Sequence, residues 1–217
     1  MKNIKNMSNI WLALAPLIIT VLSIFAKSAI LEVVSSIAGV IYVILIARQN
    51  KYGYIFGVIN VILYAILSWN EGLYGIAVIN TAYSIPILIY GFIYWSKDKE
   101  GKIEKLEKDN RIKVVACSFL MITIYAVISK TLFNNSNVIV DGIVTCIGLV
   151  GNILMAKKYY EQWYCWIVVN STSLIYWGIT VLNDLSCVPV VAMWLIYLAN
   201  TLYGLFSWKK YYYKTHN

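Results

Sequence analysis

Apolar residues run along this chain in long blocks. Short polar interruptions divide them into eight runs: 10–26, 30–47, 52–69, 73–95, 114–133, 138–156, 163–182 and 187–208. A helix needs about 17–25 apolar residues to cross ~30 Å of hydrocarbon, so each run predicts one transmembrane helix. Trp11, Trp69, Trp95 and Trp208 stand at the predicted membrane boundaries, where amphipathic rings favour the headgroup level. Asn134, Asn135, Ser136 and Asn137 form a turn cluster between the fifth and sixth runs. Pro16 and Pro86 fall inside runs, where a kink is tolerated if a neighbour satisfies the freed carbonyl; Pro189 near the start of the last run costs little.

The runs repeat. Glu32 and Ala47-Arg48 of the second run precede Asp141 and Ala156-Lys157 of the sixth by 109 residues, and Asn60 of the third precedes Asn170 of the seventh by 110. Tyr90-Gly91 with Trp95 precedes Tyr203-Gly204 with Trp208 by 113, as Asn70-Glu71 precedes Asn183-Asp184. An offset that only grows is what small loop insertions produce after a duplication. The order is then one run, three runs, one run, three runs. A spacing of four spans makes the two triplets parallel, related by an axis along the membrane normal, with a substrate site expected near the midplane between them. The expected divisions are 1–29 (N-terminal tail and additional helix), 30–95 (first triplet), 96–137 (linker and linker helix), 138–208 (second triplet) and 209–217 (basic tail).

Composition agrees with this pattern. Of 217 residues, 60% are hydrophobic and 13% charged, and the mean hydropathy is +0.69, which defines an all-α polytopic membrane protein. The net charge of +8 would suggest nucleic acid elsewhere. Here, with eight spans, 16 of the 18 basic residues fall on the side that holds both termini, and only Lys27 and Lys130 fall on the other. By the positive-inside rule that side is the cytoplasm. The hydrophilic piece 96–113 alternates in sign, with Glu100, Glu104 and Lys108 at helical spacing, and reads as a solvated cytoplasmic helix or linker, a passive joint between the halves.

The inventory limits the chemistry. Cys117, Cys146, Cys165 and Cys187 sit one to a run without metal-ligand spacing, and the single histidine, His216, is next to last. A membrane enzyme would need a nucleophile with a base, paired acids or a metal set, and these residues supply none of them. No cofactor and no metal site is expected. What remains is polar groups inside apolar runs: Asn60, Asn80, Thr145, Asn152, Asn170, Ser173, Asn200 and Thr201, with Tyr42, Tyr64, Tyr83, Tyr90 and Tyr197. One such residue is ordinary interhelical glue, but this number suggests a polar cavity.

Two stripes are the most informative. In E-Q-W-Y-C-W-I-V-V-N, residues 161–170, Trp163, Trp166 and Asn170 fall at i, i+3 and i+7 of a helix, so two indoles and one amide share a face. Trp163 alone reads as an interfacial anchor. Asn170 demands a partner, because a buried amide left unpaired costs roughly 1–3 kcal/mol. The stripe therefore predicts one wall of a pocket that stacks a flat ring. In the sixth run Asp141, Thr145, Gly148 and Asn152 recur at i, i+4, i+7 and i+11, a small and polar face directed to the bundle interior, with Asp141 and Glu32 near an outer vestibule. Gly148 and Thr145 also suit a simple close approach of helices.

The spacing of Asp141, Thr145, Met155-Ala156-Lys157-Lys158, Glu161, Trp163, Trp166, Val169 and Asn170 resembles the PnuC family of bacterial vitamin transporters. Tyr52 to Tyr64, Y-G-Y-I-F-G-V-I-N-V-I-L-Y, and Gly72 to Gly75, G-L-Y-G, resemble it in the first half. The resemblance covers about Glu32 to Lys210. It implies a SWEET-like fold of two parallel three-helix bundles joined by a linker helix, a trimeric assembly, and facilitated diffusion of nicotinamide riboside, which is trapped inside by phosphorylation. Family relatives carry thiamine, riboflavin or deoxynucleosides, and a sugar carrier of the same architecture would also use Trp and Asn. One departure is Asn183-Asp184-Leu185-Ser186-Cys187, where the family commonly shows K-G-L-Y. The substrate-binding residues expected are Trp163, Trp166, Asn170, Asn152, Thr145, Asn60, Asn80, Tyr83, Tyr197, Asn200 and Asp141. The partners expected are a small-molecule substrate and the lipid bilayer, with no nucleic acid.

Overall fold

The computed structural model describes residues 2–25, 29–70, 80–98, 101–133, 138–180, 182 and 188–216. Among them are eight α-helices: α1 Lys2–Phe25, α2 Ile30–Ala47, α3 Gly53–Asn70, α4 Ile85–Lys97, α5 Lys108–Phe133, α6 Val138–Ala156, α7 Gln162–Thr180 and α8 Val188–His216. Each overlaps one apolar run, because a backbone in hydrocarbon must satisfy its own polar groups. The turn cluster at 134–137, the Glu71 and Asn183-Asp184 repeat match, the 72–75 motif, Cys187 and the departure at 183–187 lie outside the described residues. By length and composition α2, α5, α6 and α8 can each cross a membrane, and α1 and α3 contain shorter apolar stretches. Helix α7 carries three buried polar residues, Gln162, Asn170 and Ser173.

Packing follows the apolar faces. Helix α3 packs between α2 and α4, and α7 between α6 and α8; across the two groups α2 meets α8 and α4 meets α6. Helix α5 leans on α6 and α1 on α2 and α8. The outer faces of α5 stay exposed, as for a helix that faces lipid, with Val115, Phe119 and Leu120 all uncovered.

Two turns match bond by bond. After α2 the chain reverses with Gln49 at φ 58°, and after α6 with Lys158 at φ 60°. Gln49 N donates to Ile46 O and Asn50 N to Leu45 O, both at 2.9 Å; Lys158 N donates to Met155 O at 3.0 Å and Tyr159 N to Leu154 O at 2.9 Å. Both turns thus put a non-glycine residue in the left-handed conformation that ends helices. The helices they lead into carry an aromatic residue over a glycine. Tyr54 covers Gly91, and Trp163 covers Gly204. The indole of Trp95 on α4 donates to Ala156 O at 3.1 Å, while that of Trp208 on α8 donates to Ala47 O at 3.0 Å. Trp95 and Trp208 meet with centroids 5.9 Å apart, flanked edge-on by Tyr54 at 5.0 Å and Trp163 at 5.6 Å. This aromatic lock closes the end of the bundle that carries the two basic turns.

The linker takes the non-helical of its two expected forms, but it is not solvated throughout. Residues 101–107 are not helical: Glu104 pairs with Tyr159 in a parallel bridge, with Glu104 N donating to Lys158 O at 3.0 Å and Tyr160 N to Glu104 O at 3.1 Å. Ile103 is fully buried in the aromatic lock and Leu106 nearly so. Two apolar side chains with a slot to fill outweigh the charge spacing that favours a helix, and the helix starts only at Lys108. The strap has a polar clasp as well. Glu161 Oε2 accepts from Leu106 N at 3.2 Å and its Oε1 from Arg111 at 2.7 Å, while Lys158 Nζ reaches Asp98 Oδ2 at 2.6 Å and lies 5.0 Å from the Trp95 ring centroid. Burial and the adjacent carboxylate push the Tyr160 phenol up to about 12, so it stays neutral and accepts from Arg111 at 3.2 Å. Glu161→Ala is expected to cost ~1–3 kcal/mol by orphaning the Leu106 amide. Thermal unfolding in detergent and proteolysis within 101–107 measure it; wild-type stability would show that Ile103 alone holds the strap.

The last helix continues to His216 through the basic tail, where Tyr211 and Tyr212 pack on the core and Lys209 lies 5.1 Å from the Tyr164 ring centroid. Cys117, Cys146 and Cys165 are free thiols; only Cys146 is buried as a thiol in an apolar run is expected to be, while Cys165 is half-buried and Cys117 is exposed.

Candidate functional site

Between α2, α3, α4, α6, α7 and α8 lies a cavity of about 220 Å³. Helix α7 supplies Trp163, Trp166, Val169 and Asn170, the face predicted from their spacing. Trp163 is no interfacial anchor: it is 2% exposed, fixed edge-on against Trp208 and pressed over Gly204. Trp166 is half-buried and backs onto α6, where its ring would lie 3.3 Å from a Cβ added at Gly151. Asn170 is 4% exposed, and its Nδ2 donates to Thr201 Oγ1 on α8 at 2.8 Å. The amide is thereby oriented rather than orphaned.

Helix α8 presents Trp194, Tyr197 and Thr201 to the same space. These sit at i, i+3 and i+7, the spacing of Trp163, Trp166 and Asn170 on the neighbouring helix, a recurrence from which Trp194 and Thr201 could have been placed in the site. Trp194 meets Tyr197 edge-on at 5.7 Å. The indole nitrogens of Trp163 and Trp194 are buried without a protein acceptor, although both rings line the cavity.

The remaining walls come from the first half of the chain and from α6. Asn60 on α3 lines the cavity while its Nδ2 donates to Ser35 O at 2.8 Å, and Asn152 on α6 lies opposite. Tyr42 on α2 donates to Met155 Sδ at 3.3 Å, and these two with Ile46 and Leu88 make the floor above the aromatic lock. Ser84 reaches the cavity from a single π-helical turn, Asn80–Ser84, that precedes Ile85 and Pro86. A proline removes one backbone donor, and a wider turn before it re-aims the neighbouring side chains; such turns recur at functional sites.

Of the residues singled out in the sequence, Trp163, Trp166, Asn170, Asn152, Asn60 and Tyr197 come together around this cavity. Tyr83, Asn200, Thr145 and Asp141 are not in its lining. Tyr83 instead ties the π turn before α4 to α6 by donating to Leu149 O at 2.9 Å, and Asn200 ties α8 to α2 by donating to Val43 O at 2.9 Å. Thr145 and Asp141 are half-buried in the first two turns of α6. Asn80 opens the π turn, and its side chain lies outside the described residues. Gly148 meets nothing within 4 Å, so it mediates no close helix approach. Met155, Ser84 and Trp194 are lining residues that sequence reasoning did not place there.

A multi-helix membrane protein that encloses an aromatic cavity sized for one small solute, sealed at one end by packed rings, has the build of a small-molecule carrier. The comparisons make that class specific. The family model described as nicotinamide mononucleotide transporter matches residues 29–210, and the chain belongs to that family. It is a membrane transporter and not an enzyme. Similar proteins include the nicotinamide riboside transporter PnuC of Neisseria mucosa, 27% identical over 210 residues covering 93% of this chain and 80% of that one. PnuC of Haemophilus influenzae is 26% identical over 192 residues, covering 83% and 79%. The crystal structure of the vitamin B3 transporter PnuC superposes with a TM-score of 0.81 at 28% identity, covering 97% of this chain and 93% of that one.

Proposed function

We propose that this chain carries nicotinamide riboside across the inner membrane of a bacterium by facilitated diffusion, holding it in the cavity between the triplets α2–α4 and α6–α8. The observation that carries this reading is the α7 wall, where Trp166 and the oriented Asn170 amide line the cavity together. A pyridinium ring stacked on an indole gains ~0.5–2 kcal/mol beyond its burial. Ribose hydroxyls and a carboxamide find donors and acceptors in Asn60, Asn152 and Asn170. Such pairing sets selectivity, since a solute lacking the matching group leaves a buried amide unsatisfied.

Two parallel triplets with an N-terminal helix and a linker helix account for eight spans. The matching turns, the exchanged tryptophan bonds and the glycine-aromatic pairs at Gly91 and Gly204 support that arrangement. The positions of the basic residues support cytoplasmic termini, which puts the aromatic lock and its strap on the cytoplasmic side. Passive exchange then needs the lock to open, releasing solute to the cytoplasm, where phosphorylation holds it.

The test is equilibrium binding to the purified chain, read by tryptophan fluorescence, with nicotinamide riboside, thiamine, riboflavin and glucose in parallel. Nicotinamide riboside is expected to bind at least about tenfold more tightly than the others, a difference of ~1.4 kcal/mol. Tighter binding of any other member of the panel would replace the substrate assignment.

A further inference from the structure

A second, larger chamber lies at the opposite end of the bundle from the aromatic lock. Its volume is about 810 Å³, and α1, α2, α3, α6, α7 and α8 all contribute to its lining. It shares Asn60, Trp194 and Tyr197 with the inner cavity, so these three side chains form a neck between the two spaces. The neck depends on Gly39 of α2. A Cβ there would lie 2.5 Å from the Tyr197 hydroxyl oxygen and 3.0 Å from Asn60 Nδ2, so only a bare backbone lets both polar groups lean across the helix. Asn60 is held in place by Ser35, through the carbonyl at 2.8 Å and the hydroxyl at 3.2 Å.

Among the described residues that line the chamber, Glu32 carries the only charge. Its Oε2 accepts from Ala29 N at 3.2 Å, which caps α2 and fixes the carboxylate at the rim. Trp177 and Tyr64 line the same space. One carboxylate among exposed ring faces is the environment that favours a flat organic cation over a neutral solute or an anion. Ring faces attract cations, and a charged, low-dielectric chamber concentrates counter-charge at its mouth.

We propose that this chamber is an outer binding site that receives a cationic heteroaromatic ring between Glu32 and the faces of Trp177 and Trp194, and passes it through the Asn60–Trp194–Tyr197 neck into the inner cavity. The inference rests on the carrier reading above and adds to it a selection for charge made before the ring reaches Trp166. The Glu32 carboxylate is not in the lining of the inner cavity, so it acts on the rate of arrival rather than on the final affinity.

Stopped-flow fluorescence on the full chain in nanodiscs separates the two steps. Glu32→Gln retains an oxygen to accept from Ala29 N and so keeps the helix cap. Association of nicotinamide riboside at low salt is expected to slow about tenfold in this variant and to lose most of its dependence on ionic strength. The equilibrium constant should stay within about twofold, while the rate for uncharged nicotinamide should not change, because electrostatic capture acts on a cation only. An unchanged association rate and salt slope for the riboside would overturn the outer site while leaving inner binding intact. Failure of the wild-type chain to bind the riboside at all would overturn the carrier reading, and this inference with it.

Discussion

Trp166→Ala is expected to weaken binding of nicotinamide riboside by about 30-fold or more while leaving the folded chain close to wild-type stability. The expectation follows from position. Trp166 is only half-buried and lines the cavity, so its removal takes away a stacking surface without opening the core. A desolvated cation on an indole face contributes ~2 kcal/mol, and that loss corresponds to the stated factor in dissociation constant. Trp163→Ala is the contrasting variant. Its ring is buried against Trp208 and over Gly204, so truncation is expected to cost ~3–5 kcal/mol of stability. Calorimetric titration with the riboside and thermal unfolding, done on both variants, separate the roles. A Trp166→Ala chain that binds with unchanged affinity would retire the cavity as the substrate site.

The other large effect belongs to Gly204. A Cβ built on that position would stand 2.5 Å from Trp163 Cη2 and Cζ2 and 2.7 Å from Cε2, well inside contact distance of a ring that has no room to retreat. Trp163 is braced by Trp208, whose own indole nitrogen is committed to Ala47 O. Gly204→Ala is therefore expected to lose ~3 kcal/mol or more, at the upper end of what overpacking costs, and to lower the melting temperature by on the order of 10 °C. Adding Trp163→Phe to it removes the outer ring and is expected to restore part of the loss. Gly148→Ala serves as the neutral control, since nothing lies within 4 Å of its added methyl. Equal melting temperatures for the Gly204 and Gly148 variants would mean that the Trp163 ring does not sit as described.

The aromatic lock, the turns beside it and the strap join into one cytoplasmic assembly in the proposed orientation. Helix α4 closes on α6 and α8 on α2 through the same kind of bond, a Trp indole on an Ala carbonyl at the last residue of the helix. A carrier that opens inward must release at least one of these bonds, and Ile103 with the Glu161 clasp adds to what must be released. In the proposed mechanism the strap would bear on the rate of opening as well as on stability, because Ile103 and the Glu161 clasp join the linker to the core.

The eight apolar runs, their order and the resemblance between the halves could be read from the residues alone. So could the α7 stripe of Trp163, Trp166 and Asn170, because a single helix fixes the angular positions of its own side chains and hydrocarbon length fixes the helix. Which helices face one another is set by long-range packing, and no local spacing carries that information. Only the folded arrangement put Trp194 beside Trp166, turned Asn200 and Tyr83 into ties between helices, and folded the charged linker down so that Ile103 could fill a slot in the core. A side chain's direction follows from its helix; its neighbour is decided by the least costly way to bury every ring and amide at once.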